Sequence, residues 1–380
     1  MVEDKFIVSN QVLKEYFNIN NIIDIIPFGS GHINSTFVVV FPTCRYLLQK
    51  INDDVFASPF AVMHNIELVT EYIKKNVIYD GKDPRVSVLT IVLNKHGQNL
   101  TMVEDDYWRC MRFIEEGITY DQTEDLEIFR EVGRAVGEFQ RYLNDFRTRL
   151  LADTIKHFHD TPYRYGTFLD IIKIDRIDRV KMCQPEIEFV KKYENRLGVI
   201  TSLLEEKKIP RRVTHNDTKL NNIMISKSTG KALGLIDLDT VMKGSLLYDY
   251  GDALRLGAST ASEDETDLSK VNINFDLFEA FTDGYLKEVK SIITDEEIKH
   301  LLDGYFIMTF EVGMRFLTDF IDGDKYFTLS DNIKETRPLI NLERAKNQLK
   351  LAKEIDDNYD KLIQIINKIL KNLDYNIIIE

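Results

Sequence analysis

One ten-residue stretch constrains this chain more than any other: Val213-Thr214-His215-Asn216-Asp217-Thr218-Lys219-Leu220-Asn221-Asn222, followed after a gap by Leu235-Ile236-Asp237-Leu238-Asp239. The first segment is a polar loop entered from apolar residues, and the second is a strand ending on two acids one strand period apart. Between them two β-like runs, Asn222-Ile223-Met224-Ile225 and Ala232-Leu233-Gly234-Leu235-Ile236, are joined by the polar residues 226–231. Such an order sets His215, Asp217 and Asn222 on one loop and delivers Asp237 to it on a hairpin. This donor set reads as one suited to phosphoryl transfer. That reaction needs a carboxylate to receive the acceptor hydroxyl's proton and hard oxygen ligands to hold magnesium against nucleotide phosphates.

Length and composition narrow the frame. A chain of 380 residues exceeds the usual size of one core, which predicts two lobes. With 44% apolar and 29% charged residues, the composition is that of a globular protein. The net charge of −13 disfavours nucleic acid and anionic membrane as partners, since phosphates would be repelled. Cys44, Cys110 and Cys183 show no C-x-x-C spacing, so neither a disulfide framework nor a zinc site is expected, and reduced thiols in a cytoplasm fit. The opening Met1-Val2-Glu3-Asp4-Lys5 has no basic n-region before an apolar core, and no apolar run is long enough to span a bilayer.

The first part of the chain reads as β-rich. Residues 38–41 and 45–50 form two β-like runs around Pro42-Thr43, a hairpin pattern. Phe60, Met63, Ile66, Val69 and Ile73 then recur at three- and four-residue steps, predicting a helix over 59–75. Strands are expected at 86–89, 100–103 and 107–114. After Glu115-Glu116-Gly117 the pattern becomes helical, over 125–143, 184–207, 275–289, 295–320 and 342–370. The polar residues 259–267 read as a mobile surface loop, because their acids repel one another and bury nothing. The expected architecture is therefore α+β, with a small β-rich lobe over 1–114 and a larger, mainly α-helical lobe over 115–380.

Within this frame each candidate residue has a role. Asp217 is the expected base, orienting the acceptor hydroxyl toward the γ-phosphorus. Asn222 and Asp237 are magnesium ligands. Asp239 either adds an outer ligand or caps the next turn, and Lys219 either touches the transferring group or is solvated. Upstream, Gly29, Ser30, Gly31, Asn34, Ser35 and Thr36 form a glycine-bearing turn entering a strand, where backbone amides can approach and cover phosphates.

The spacing from His215 to Asn222 is that of the H-x-D-x-x-x-x-N kinase loop. Together with Tyr46 to Asn52, Tyr107-Trp108-Arg109, Arg112 to Glu115, Tyr248 to Arg255 and Phe310 to Leu317, it makes the chain resemble the aminoglycoside phosphotransferase superfamily, with a protein-kinase-like two-lobed fold. The His-Asn-Asp-Thr-Lys loop and the Glu311-x-Gly-x-Arg315 segment are similar to the N-acetylhexosamine 1-kinases within it. The resemblance implies ATP and Mg2+ as cofactors and transfer to the anomeric hydroxyl of N-acetylglucosamine or N-acetylgalactosamine, giving the sugar 1-phosphate. The partner expected is a small-molecule sugar, and the chain is expected to be a monomer or weak dimer. It also implies adenine contacts from a hinge at Arg112, Phe113 and Ile114, and bracing of the catalytic loop by Asp249 and Asp252. One position departs from the kinase pattern. Where a phosphate-pairing lysine is usual, Gln49 aligns, and either Gln49 or Lys50 faces the phosphates. Arg315, set among apolar residues, needs a partner: a substrate contact, or Glu311 one helical turn back. Two other functions stay open, a kinase for another small alcohol such as choline, homoserine, methylthioribose or an aminoglycoside, and a nucleotide-binding pseudokinase.

Overall fold

A computed structural model describes residues 8–29, 34–327 and 336–380. Ser30 and Gly31 of the glycine turn lie outside the described residues. Helix α1 (Asn10–Tyr16) starts on Ser9, whose side chain accepts from the Val12 amide. It leads into β1 (Asp24–Pro27), β2 (Ser35–Val40) and β3 (Arg45–Ile51), and β2 and β3 form the hairpin expected around Pro42. Helix α2 (Pro59–Tyr79) begins where Ser58 caps and Pro59 pre-sets the first turn.

The strand expected at 86–89 is instead a helical turn, α3 (Pro84–Ser87). Asp83 accepts from the Arg85 amide and Pro84 fixes the entering backbone, so capping wins over apolar alternation. Then come β4 (Ile91–Val92), β5 (Thr101–Val103) and β6 (Asp106–Arg112). The sheet order is β1-β2-β3-β6, with β4 and β5 both pairing with β6. One face packs Phe37, Val39, Leu48, Trp108 and Cys110 against Val12 and Leu13 of α1. By alternation, Gln49 and its register partner Arg109 point to the other face.

The chain leaves this sheet after Arg112 and joins a second one at β7 (Gly117–Ile118), which pairs with a strand more than a hundred residues later. Helices α4 (Leu126–Tyr142) and α5 (Thr161–Ile174) follow, then α6 (Gln184–Lys192) and α7 (Val199–Glu205), a pair expected as one helix but interrupted before Gly198. The motif region is β8 (Arg212–Thr214), β9 (Ile223–Ser226), β10 (Ala232–Leu235) and β11 (Met242–Gly244). The remainder is helical: α8 (Leu246–Gly257), α9 (Phe275–Val289), α10 (Asp295–Lys299), α11 (Leu301–Asp322), α12 (Ile340–Asp357) and α13 (Tyr359–Asn372). The helix expected over 295–320 breaks at His300, whose ring turns onto Asp303 at 2.7 Å, and that over 342–370 breaks at Asn358.

The helical core positions the site through close backbone approach. A Cβ on Gly251 of α8 would lie 2.1 Å from the Gly304 carbonyl oxygen of α11, so only glycine lets these helices pack at this distance. The acidic segment 259–267 is not the loose loop expected. Glu263 pairs with Arg255, Asp264 with Arg344, and Asn347 donates to the carbonyls of Ser262 and Glu265, so cations from the helices offset the repulsion. Among the described residues no helix is long and apolar enough to cross a membrane.

Candidate active site

Strand β8 ends on the loop that starts at His215, and the loop is held from below by α8. The buried Asp249 carboxylate accepts from the His215 amide at 2.9 Å, the Asn216 amide at 2.8 Å and Gln140 Nε2 at 2.5 Å. Asp252 accepts from the Thr218 amide at 2.8 Å, and Thr218 Oγ1 donates to the Asp249 carbonyl at 2.7 Å. These bonds hold Asn216 in a left-handed conformation at φ 66°, which an Asn tolerates better than most residues. Its Nδ2 donates to the Thr240 carbonyl at 2.8 Å and ties the loop to the turn after Asp237.

His215 is a spacer with a defined tautomer. Nδ1 accepts from the Asp217 amide at 3.3 Å, so Nε2 carries the proton and donates to the Ile236 carbonyl at 2.8 Å. The ring therefore sets the distance between the Asp217 loop and the strand end bearing Asp237.

Asp217, Lys219 and Asn222 converge. Lys219 Nζ lies 3.0 Å from Asp217 Oδ2, and Asn222 Nδ2 donates to the same oxygen at 2.9 Å. Burial works against the Asp217 charge, but Lys219 beside it holds the carboxyl below its ordinary value. Burial likewise disfavours charged Lys219, and Asp217 and Asp237 overcome it, leaving the ammonium above its ordinary value. This pair stays ionised at neutral pH.

Asp237 adopts a left-handed backbone, φ 59°, and is exposed. Surrounding protein, with Asp239 and Asp217, pushes its carboxyl up to about 6 against the pull of Lys219 and Arg109. A carboxylate crowded by two others is one a cation would relieve. The described residues contain no group of three or more His, Cys, Asp or Glu set for a metal. The protein donors present are one carboxylate and one amide oxygen, a set that fits magnesium, which keeps waters and substrate phosphates as its other ligands.

Asp239 is placed differently from a ligand. It is buried, and both its oxygens are occupied: Arg109 Nη1 at 2.5 Å from Oδ1, Arg109 Nη2 at 3.0 Å and Asn34 Nδ2 at 2.7 Å from Oδ2. Sequence alone assigns Arg109 no role of its own beyond the Tyr107-Trp108-Arg109 likeness, since nothing local says which carboxylate it meets. Gln49 bonds Arg109 Nε through Oε1 at 3.0 Å and Thr36 Oγ1 through Nε2 at 2.9 Å, while Lys50 pairs with Asp106 at 2.6 Å on the opposite face. Gln49 is thus the residue turned toward the motif loop.

At the glycine turn, Gly29 has φ 83° and the Phe28 amide donates to the Thr36 carbonyl, while Ser35 lies opposite Lys50 in the hairpin. At the expected hinge the Arg112 and Phe113 amides donate to the carbonyls of Thr90 and Arg45, so neither is free to meet a base. Ile114 is buried.

In the helical part of the chain, Glu311 accepts from His159 Nδ1 at 2.9 Å and Thr161 Oγ1 at 2.5 Å. Both its oxygens are engaged, and among the described residues Arg315 makes no ion pair within 4.0 Å. Its guanidinium instead lies 5.3 Å from the ring centres of Phe158 and Tyr326 and donates to the Tyr326 hydroxyl at 3.0 Å. Arg164 donates to the Phe158 carbonyl, and burial, then Arg315, lowers its pKa from the ordinary arginine value. His159, Thr161 and Arg164 gave no sequence signal, because they meet Glu311 and Arg315 only across about 150 residues of chain.

Several solved structures share this arrangement of chain. They include a microcompartment-associated aminopropanol kinase (16% identity, TM-score 0.62, covering 93% of this chain and 97% of the other) and a choline kinase from Cryptosporidium parvum Iowa II (14%, 0.59, 94% and 97%). An amicoumacin kinase solved with AMP-PNP and Ca2+ is similar at 13% identity and TM-score 0.57, covering 90% of this chain and 93% of the other. At these identities the likeness establishes the protein-kinase-like fold, a β-sheet lobe followed by a helical one. Residues 24–272 match the family described as phosphotransferase enzyme family, and they contain the glycine turn, the His215–Asn222 loop and Asp237. The chain therefore belongs to the APH phosphotransferase enzyme family.

Proposed function

We propose that this chain is an ATP- and magnesium-dependent small-molecule kinase that phosphorylates the anomeric hydroxyl of an N-acetylhexosamine, N-acetylglucosamine or N-acetylgalactosamine, to the sugar 1-phosphate. The observation that carries the reading is the meeting of Lys219 and Asn222 on one Asp217 oxygen, at 3.0 and 2.9 Å, with Asp237 across the His215 ring. Asp217 orients the acceptor hydroxyl and receives its proton as the new O–P bond forms and the γ-phosphorus bond to the β–γ bridging oxygen breaks, with ADP leaving. Lys219 offsets charge on the transferring group. Asn222 Oδ1 and Asp237 would hold magnesium, which when bound neutralises phosphate charge. The Gly29 turn, with Ser35 and Thr36, covers the phosphates, and Ile114 lines the adenine end.

Arg315 is the proposed acceptor contact. The kinases of choline and aminopropanol act on acceptors with a cationic nitrogen, whereas here the nearby carboxylate, Glu311, is spent on His159 and Thr161 and two guanidinium groups stand beside it. Positive charge at that end favours a neutral, oxygen-rich acceptor over an ammonium. The test is a panel of free sugars and amino alcohols incubated with ATP and magnesium, with products identified by phosphorus NMR. Phosphate on the anomeric carbon is expected; phosphate on an amino alcohol, or no product from any sugar, would overturn the acceptor assignment. Arg315→Ala should raise the sugar's KM, and an unchanged KM would exclude the contact.

A further inference from the structure

The sheet places a cation where the kinase pattern would put a lysine, but one strand over and aimed at protein. Arg109 is 1% exposed, and its planar fork closes on both oxygens of Asp239, two residues past Asp237 in the same turn. An arginine so desolvated and so paired fixes its partner in both position and rotation. Three further side chains lock the pair. Gln49, the register partner of Arg109, bonds its Nε and is itself tied to Thr36. Asn34, at the end of the glycine turn, donates to Asp239 and accepts from the Asn52 amide at 3.0 Å. Thr154 donates to the Asp239 carbonyl at 3.1 Å.

We infer that Arg109 is a positioning residue for the metal site: by clamping Asp239 it sets the orientation of the Leu238–Thr240 turn and hence of the Asp237 carboxylate, while Asn34, just before β2, is bonded to Asp239 as well. The cation held by the first sheet acts on the divalent ion's protein ligand rather than on the nucleotide's phosphates, which are left to Lys219 and the ion. The inference rests on the proposed role of Asp237 as a metal ligand. Outer partners of metal ligands typically govern metal affinity by about 10–100-fold.

The experiment is calorimetric titration of AMP-PNP into the full chain at a series of magnesium concentrations, which reads the magnesium needed for half-maximal binding without turnover. Arg109→Met leaves the Asp239 carboxylate buried without a counter-charge, with only Asn34 still donating to it, and endangers folding, so Arg109→Met/Asp239→Leu, which removes both charges, is measured beside it, with thermal unfolding as a check. Both are expected to raise the half-saturating magnesium by about tenfold or more, with AMP-PNP binding in chelator little changed. Gln49→Lys added to Arg109→Met is expected to restore part of the metal response, because an ammonium at 49 stands next to the vacated site. If Asp237→Asn abolishes the magnesium response while the double variant retains the wild-type one, the positioning role is overturned and the Asp237 assignment stands. If Asp237→Asn also leaves the response unchanged, the Asp237 assignment falls, and this inference with it.

Discussion

Asn222 Nδ2 donates to Asp217 Oδ2 at 2.9 Å and to the Asp217 main-chain carbonyl at the same distance, so the amide proposed to hold magnesium also fixes the carboxylate proposed to act as base. Removing the charge while keeping the shape separates these duties. Asp217→Asn should lower kcat by about 10²–10⁴-fold, the range of general base catalysis, with AMP-PNP affinity near wild type. Steady-state kinetics with calorimetry check it; turnover at the wild-type rate would remove Asp217 from the chemistry.

Asp249 touches no substrate in this reading, yet it carries the loop. Its carboxylate serves two consecutive amides and the Gln140 side chain. Asp249→Ala should cost about 1–3 kcal/mol for each donor left buried and unpaired, and activity should fall with the loss of loop geometry. Urea denaturation measures the first and kcat the second; a variant with wild-type stability would show that water replaces the carboxylate.

Gly251→Ala tests the contact of α8 with α11. A methyl group 2.1 Å from the Gly304 carbonyl must push the helices apart, displacing Asp249 and Asp252 from the loop. A loss of about 1–3 kcal/mol is expected, typical of overpacking, together with reduced kcat. An unchanged melting temperature would show that the helices accommodate the methyl group.

His300 gives a pH signature away from the site. Its hydrogen bond to Asp303 raises its pKa above the ordinary 6.5, against the opposing effect of burial, with Glu296 adding to the rise. A histidine whose folded pKa exceeds its unfolded one contributes stability fully present below about 6.5 and lost as pH rises through the folded value. His300→Gln should therefore destabilise more at pH 5.5 than at pH 9 in urea melts. Equal losses at both pH values would mean that the ring acts by packing alone.

The loop was legible because all its members lie within a short stretch. Asp217, Lys219 and Asn222 span six residues, so chain geometry alone puts them within reach of one another, and the β9–β10 hairpin can only return Asp237 beside them. The amphipathic helices were legible for a similar reason, as periodic spacing is a local property. Helix α8 was not, since residues 246–255 are buried on every side and leave no polar face for a period to reveal.

Local spacing by itself thus determined the order of β-rich and helical segments and the closeness of Asp217, Lys219 and Asn222 to the hairpin that returns Asp237. Tertiary structure decided the rest: that Gln49 turns inward while Lys50 pairs with Asp106, that Asp239 is held by Arg109 and Asn34, and that Glu311 binds His159 and Thr161 instead of Arg315. Each of those outcomes is a contest among polar groups for partners under burial. The winner depends on which strands and helices lie alongside one another, and residues 109 and 239 acquire a shared meaning only when the first sheet closes onto the turn after β10.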